Sequence, residues 1–494
     1  MRVARVNVIG LATFTAAYPQ YSTTRALDDR RARDYPLLDS LGHVYLDYTA
    51  GNLVPLSLVD RHTALMRDHL LGNPHSTNPA SALATTFVEQ ARLSVLDFFS
   101  ADPDEYVVIF TANATQALKL VGEAYPFAAG GEYLLTFDNH NSVNGIREFA
   151  RARGCPTTYV PIVLPDMRVN ESELADHLER GKRGGNRLFA YPAQSNFSGV
   201  QHPLDWIPLA QERGWDVLLD AAAFTPTNRL DLGRWRPDFV SQSFYKMFGY
   251  PTGVGCLLVR NDRLRTLKRP WFAGGTVSFA TVQGRACILS PGEAGFEDGT
   301  LNYLGIPAIE IGLRHLQSVG IEAIGTRVRC LTAWLLRSLV DLRHQNGRPM
   351  VRLYGPVTTA GRGGTVAMNF YDPDGHLLDY RRVEEIAGLQ GISLRTGCFC
   401  NPGVGEAAEG LTEADILAAL EADAGMNLQR FIQFMTHRGG KSAGAIRVSL
   451  GLVSNFADVE RFVEFAASLR NQTRLTMGEA TFDVESSRAI RDGS

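Results

Sequence analysis

The stretch Ser243–Gly255, SFYKMFGYPTGVG, sets one lysine, Lys246, between aromatic residues and just ahead of a run of glycines. A charged amine among apolar neighbours is costly to desolvate, so it needs a route to water or a chemical use. The flanking residues decide the fold. "DFVSQSF" (238–244) before the lysine and "GCLLVR" (255–260) after it read as short strands. Upstream the alternation repeats. "YVVIF" (106–110) precedes "TQALKLVGEAY", "YLLTF" (133–137) precedes "SVNGIREFAR", and "RLFAY" (187–191) precedes "DWIPLAQERG", with "DVLLD" (216–220) following. Strand alternating with helix predicts an α/β fold whose large, mainly parallel sheet is covered on both faces. In such sheets functional residues gather at the carboxyl ends of the strands, where Lys246 falls.

Beyond about residue 320 the pattern changes. A long helix, "RVRCLTAWLLRSLVDLRHQ", leads to strand "TVAMNFY", helix "RVEEIAGLQ", strand "AIRVSLG" and helix "ADVERFVEFAASLR". The expected organisation is an N-terminal segment (1–44) joining a small domain, a large domain (45–320), the small α+β domain (321–471) and a loose polar tail (472–494).

Composition narrows the class. A chain of 494 residues, 45% hydrophobic and 20% charged with a formal net charge of −3, is that of a globular protein. It gives no electrostatic reason to expect nucleic acid or an anionic membrane as partner. Six cysteines in this length are no disulfide framework, so a reducing, cytoplasmic setting is expected. The N-terminal "MRVARVNVIGLATFTAAY" is interrupted by Asn7, Thr13 and Thr15, which weakens a signal-peptide reading, and no stretch is apolar enough to span a bilayer.

Four polar features follow predicted strands. In "TANATQAL" (111–118), Ala114-Thr115 opens a helix whose N-terminus can hold an anion, although an ordinary cap reads the same way. His140 stands just beyond a strand, as a structural histidine also would. Asp220 closes "DVLLD" and needs a partner or a turn to satisfy it. Lys246 is either a snorkelling lysine or an amine of lowered proton affinity, able to form a Schiff base. One ligand explains all four. Pyridoxal 5'-phosphate asks for a lysine, an acid for its pyridine nitrogen, a helix start for its phosphate and a ring to stack on.

Six stretches together carry a resemblance: "YLDYTAGNLVP", "GNPHS", "TANATQAL", "DNHNSV", "SFYKMFGYPTGVG" and "RTGCFCNPG". They resemble the class V aminotransferase and cysteine desulfurase group of fold-type I pyridoxal phosphate enzymes, in order from Tyr45 to Leu469. The last three are most similar to the desulfurase-like region of molybdenum cofactor sulfurase. The resemblance implies that Lys246 binds the cofactor covalently, Asp220 partners its ring nitrogen and His140 stacks on its ring. It also implies phosphate contacts from Ala114, Thr115 and Ser243, and places Asn196 near the cofactor's 3-oxygen. Thr300 matches the residue that reaches the other subunit's phosphate, which implies a homodimer. Arg447 matches the arginine that grips the substrate carboxylate, and Arg395 a second arginine beside it.

Two cysteines flank Phe399. Half a zinc site is one reading of them, but no second pair has zinc-like spacing. In the family the position of Cys400 carries the nucleophile that takes sulfur from L-cysteine as a persulfide, with Cys398 second in rank. Nearby arginines and a cationic cofactor are expected to lower the thiol's pKa. The implied reaction is cysteine desulfuration, giving alanine and an enzyme persulfide for a sulfur-acceptor protein. Two departures mark the chain: Tyr245 stands where many desulfurases have histidine, and Ala223 where many have glutamine. Over this length the resemblance leads to the expectation that the large C-terminal domain of eukaryotic sulfurases is lacking. The alternative is β-elimination from a cysteine S-conjugate, giving thiol, pyruvate and ammonia without need of Cys400. Other α-carbon chemistry, or an inactive scaffold, leaves the cysteines or the lysine unexplained.

Overall fold

The computed structural model describes residues 8–180, 184–422, 430–431, 444–478, 482–483 and 488–489. Its centre is a seven-stranded sheet of β1 (Tyr106–Thr111), β2 (Glu132–Thr136), β3 (Thr157–Val160), β4 (Arg187–Pro192), β5 (Asp216–Asp220), β6 (Phe239–Ser243) and β7 (Gly255–Arg260). The spatial order is β1-β7-β6-β5-β4-β2-β3. All neighbours are parallel except β7, which runs antiparallel to both β6 and β1. The cause lies in the opening stretch. The connection from Ser243 to Gly255 is too short for a right-handed crossover helix, so β7 must return antiparallel.

Alternate residues feed two cores. Phe189, Tyr191, Val217, Leu219 and Val240 point into one, and Leu188, Ala190, Leu218 and Phe239 into the other. This period of two, apolar on both sides, is what a sheet covered on both faces requires.

A second, four-stranded sheet is antiparallel throughout. After the solvent-facing hairpin β8 (Val277–Ala280) and β9 (Cys287–Leu289), it is built from β10 (Val351–Tyr354), β11 (Thr365–Phe370), β12 (Arg395–Gly397) and β13 (Ala445–Ser449), ordered β10-β11-β13-β12. The observed class is thus α/β with a smaller α+β region.

The N-terminal segment packs on the helices of that region. Its α1 (Val8–Ala17) inserts Phe14, stacked on Phe456 of α6 (Phe456–Ser468) and edge-on to Trp334 of α5 (Ile321–Val340). In α2 (Ala26–Asp34), Arg31 pairs with Asp458 at 2.6 Å, while Asp28 receives Arg327 of α5 at 2.6 Å.

Several element boundaries differ from expectation. Helix α5 ends at Val340, because residues 341–348 turn back with Gly347 at φ +82° and the His344 N–H donating to Arg348 O. The helix expected over "SVNGIREFAR" is divided at Gly145 into Asn141–Asn144 and Ile146–Ala152. Residues 473–478, expected in a loose tail, form a capped helical turn. It is docked by Arg382 Nε–H donating to Met477 O and Arg474 Nε–H to Leu377 O. Most of 479–494 lies outside the described residues. Among the described residues no helix is long and apolar enough to cross a membrane.

Candidate functional site

A cleft of about 350 Å³ opens at the carboxyl edge of the large sheet. Its lining includes Ala114, Thr115, His140, Asn196, Asp220, Ala223, Ser243, Tyr245 and Lys246. Seven of the candidate cofactor and catalytic residues thus meet around one cavity, whereas Thr300, Arg395, Cys400 and Arg447 are not in its lining.

The lysine end is built from strand ends. Strand β6 finishes at Ser243, and Lys246 sits on the single helical turn Phe244–Phe248 that follows. Gly249 ends that turn at φ +83°, and a Cβ there would lie 2.4 Å from Leu53 O, so only glycine fits. Asn52 clasps the turn by donating to the carbonyls of Lys246 (2.8 Å) and Met247 (3.0 Å). Burial pushes the Lys246 amine below the ordinary lysine range; Asp220 opposes this and Arg447 reinforces it.

Asp220 ends β5, the neighbour of β6. Its Oδ1 accepts from Ala222 N–H (3.2 Å) and Ser241 Oγ–H (3.0 Å), while Oδ2 has no hydrogen bond among the described residues. On the other side of the cleft, α3 (Ala114–Ala124) begins. Ser243 Oγ accepts from Ala114 N–H (2.9 Å) and Asn113 Oδ1 from Gln116 N–H (3.0 Å), leaving the Thr115 N–H without a side-chain cap. The helix end is therefore partly capped and still offers a donor and the positive end of its dipole.

His140 caps the short helix after β2. Its Nδ1 accepts from Ser142 N–H at 3.1 Å; since a backbone N–H can only donate, the ring carries its proton on Nε2. Burial, reinforced by Lys246, lowers its pKa, so it stays neutral near neutrality.

The arginine end is assembled from distant segments. Arg395 on β12 stands directly opposite Arg447 on β13. Arg447 is 4% exposed, and burial depresses its pKa to about 10. It donates to Asn196 O (3.0 Å) and Asp47 Oδ1 (3.2 Å) and lies 4.7 Å over the Phe399 ring, while its buried Nε has no partner among the described residues. Arg395 is half exposed and donates twice to Asp47 Oδ2, at 3.0 and 2.6 Å. Asp47 is the residue that sequence reasoning missed; the motif "YLDYTAG" contained it, but nothing local to it announces an ion pair 348 positions away.

The cysteine turn hangs on the same side. Phe399 and Cys400 both take left-handed backbone, φ +54° each, which costs about 1 kcal/mol or more per residue outside glycine. It is held by Asn196 Nδ2–H donating to Phe399 O (2.7 Å), Asn141 N–H to Cys400 O (2.7 Å) and Asn401 Nδ2–H to Asp138 O (2.7 Å) and Asn196 Oδ1 (2.9 Å). Gly403 is required beneath it, since a Cβ would meet Phe137 O at 2.0 Å. Cys400 is exposed; Cys398 is more enclosed, and burial raises its thiol's pKa. All six cysteines are free. The amide of Asn196 is thus spent on the turn, whereas Thr300 is exposed and does not line its own chain's cleft.

The sequence model described as aminotransferase class-V matches residues 44–462. Molybdenum cofactor sulfurase of Solanum lycopersicum is 37% identical over 490 residues, covering 93% of this chain and 59% of that protein. The same enzyme of Homo sapiens is 34% identical over 475 residues, covering 90% and 51%. The chain therefore spans just over half the length of these relatives. Among solved structures, the cysteine desulfurase of Thermococcus onnurineus NA1 superposes with TM-score 0.72 at 24% identity, covering 90% of this chain and 97% of that one. The cystine C-S lyase C-DES gives TM-score 0.66 at 20% identity, covering 88% and 99%. These two likenesses concern the fold alone. With 44–462 matched in a chain of 494 residues, and with the cleft at the sheet edge, the chain belongs to the aminotransferase class-V family of enzymes.

Proposed function

We propose that this chain is a pyridoxal phosphate-dependent enzyme that cleaves the C–S bond of L-cysteine or a close derivative and takes the sulfur on Cys400. The observation that carries this reading is a cleft lined by Lys246 and Asp220, with the buried Arg447 and the exposed Cys400 beside it, close enough to act electrostatically on the lysine and on each other.

The residues present fit the cofactor. Asp220 keeps one oxygen free of protein partners, Lys246 has lowered proton affinity, and the start of α3 retains an uncapped donor. Lys246 would hold the aldehyde carbon, Asp220 the ring nitrogen, and Ala114, Thr115 and Ser243 the phosphate, with His140 against the ring. When bound, the cofactor supplies an electron sink for a carbanion at the amino acid's α-carbon.

The chain's own groups then divide the work. Arg447 orients the substrate through its carboxylate, using the Nε–H that has no protein partner. Lys246 Nζ, once released, takes and returns the proton at the α-carbon, a task suited to an amine of lowered pKa. Neutral His140 lines the cleft with its proton on Nε2. Cys400 Sγ attacks the substrate sulfur as the Cβ–S bond breaks; that bond's electron pair goes to the carbon skeleton, which takes a proton and leaves as alanine. Cys398, with its raised pKa, is the weaker nucleophile. Asn196 acts by holding the Cys400 turn. In this reading a second copy supplies Thr300 to the phosphate, and a separate acceptor protein removes the sulfur.

Product analysis tests the proposal. The purified protein is given L-cysteine and, separately, an S-alkylated cysteine, with and without a thiol reductant. Alanine and sulfide from cysteine, lost in Cys400→Ala, are the expected result. Pyruvate, ammonia and free thiol from the conjugate, unaffected by Cys400→Ala, would replace sulfur transfer with β-elimination.

A further inference from the structure

Two arginines directly opposite each other on adjacent strands repel, and the buried one cannot be screened by water. The fold resolves this with one carboxylate. Asp47 is 6% exposed and splits its oxygens, Oδ1 to Arg447 and Oδ2 to Arg395. Its backbone is fixed by a bridge to Ser449 and by Ala50 N–H donating to Asp47 O at 3.0 Å. Five residues on, the same segment reaches the lysine turn through Asn52.

The two contacts are unequal. Arg395 gives Asp47 two hydrogen bonds, the shorter at 2.6 Å, whereas Arg447 gives one at 3.2 Å. Arg395 also has solvent to compensate it, its side chain being 52% exposed, and Arg447 has a buried Nε–H without a partner among the described residues. Asp47 is thus anchored on Arg395 and only lightly engaged with the guanidinium that faces the site.

We propose that Asp47 is a resident stand-in for the substrate carboxylate: it neutralises Arg447 in the empty cleft, and yields it to an entering amino acid while staying on Arg395. The inference rests on the reading of Arg447 as the carboxylate's partner. Its consequence is specificity. With Arg395 engaged by Asp47, one guanidinium is on offer, so the site takes amino acids with a single carboxylate and discriminates against dicarboxylic ones. Asp47 is a positioning residue, and it competes with the ligand it prepares the site for.

The test measures binding of L-alanine to the cofactor-loaded protein by calorimetry, so that turnover does not enter. Asp47→Asn is expected to bind L-alanine about tenfold tighter, since the competing anion is gone. It should lower KM for cysteine without raising kcat, and should narrow the preference for L-alanine over L-aspartate. A weakened L-alanine affinity in Asp47→Asn would overturn the proposal and make Asp47 a strut. Arg447→Ala separates the two readings. If it binds L-alanine as the parent does, the carboxylate role of Arg447 fails and this inference with it. If it loses binding while Asp47→Asn also weakens, the inference alone fails. Should Asp47→Asn not fold, a crystal structure of the parent protein with L-alanine decides: Asp47 should part from Arg447 and keep Arg395, and an unchanged Asp47–Arg447 contact would refute the proposal.

Discussion

The two ends of the candidate site, the cleft and the arginine cluster beside it, are made by different means. At the lysine end, Asp220, Ser243 and Lys246 stand at the ends of adjacent strands, and one parallel pairing, with Leu218 opposite Phe239, fixes their spacing. At the arginine end, Asp47, Asn196, Arg395 with Cys400, and Arg447 come from four separate segments, tied by ion pairs and by a turn in left-handed backbone. The first end inherits its geometry from the sheet. The second exists only when the two sheets are docked, so it is the end that a ligand can remodel.

The largest expected effect is at the inherited end. Lys246→Ala should lower turnover by about 10⁴-fold, the scale of a lost acid–base group, with secondary structure unchanged by circular dichroism. Retained full activity would break the distinction, because the lysine end would then be dispensable. Arg447→Ala comes next. Steady-state kinetics should show kcat/KM reduced about 10²- to 10³-fold, with the lysine-bound cofactor still seen by its visible absorbance. Loss of the cofactor as well would mean that the ends are not independent.

A third effect should ignore the comparison altogether. His315 on α4 (Pro307–Val319) is buried, with Nε2 unpartnered among the described residues; burial first, then Arg30, holds its pKa near 4 against an ordinary 6.5. The unfolded chain therefore binds more protons between these values. Stability is full above pH 6.5 and falls as pH drops through the window, by about 3 kcal/mol. His315→Gln should flatten that slope in denaturant titrations, equally in parent and Lys246→Ala backgrounds. The smallest effect is at the turn. Asn196→Ala removes the donor to Phe399 O and the acceptor for Asn401, worth about 1–2 kcal/mol, and should speed amide exchange across 398–401 while leaving the Lys246 turn protected.

The same division governs what could be read beforehand. Strand–helix alternation and the strand-end positions of Asp220 and Lys246 were legible, because hydrophobic period and chain continuity are local properties. The antiparallel return of β7 followed from the length of its connection, yet was not anticipated. Arg395, Arg447, Cys400 and Asn196 were reached through resemblance rather than spacing. What the resemblance could not supply was the state of each side chain. Asn196 is spent on the cysteine turn, Cys398 is enclosed where Cys400 is exposed, and Thr300 is away from its own cleft.

By itself, then, the sequence determined the layered α/β architecture and the lysine at a strand end, just ahead of a run of glycines. Only the tertiary structure decided the electrostatics: which carboxylate neutralises which arginine, which groups are buried beside Lys246, and which cysteine meets solvent. Local pattern fixes where the chain turns, because propensity and period act over a few residues. Charge pairing and burial depend on residues hundreds of positions apart, and they acquire values only when those residues are in contact.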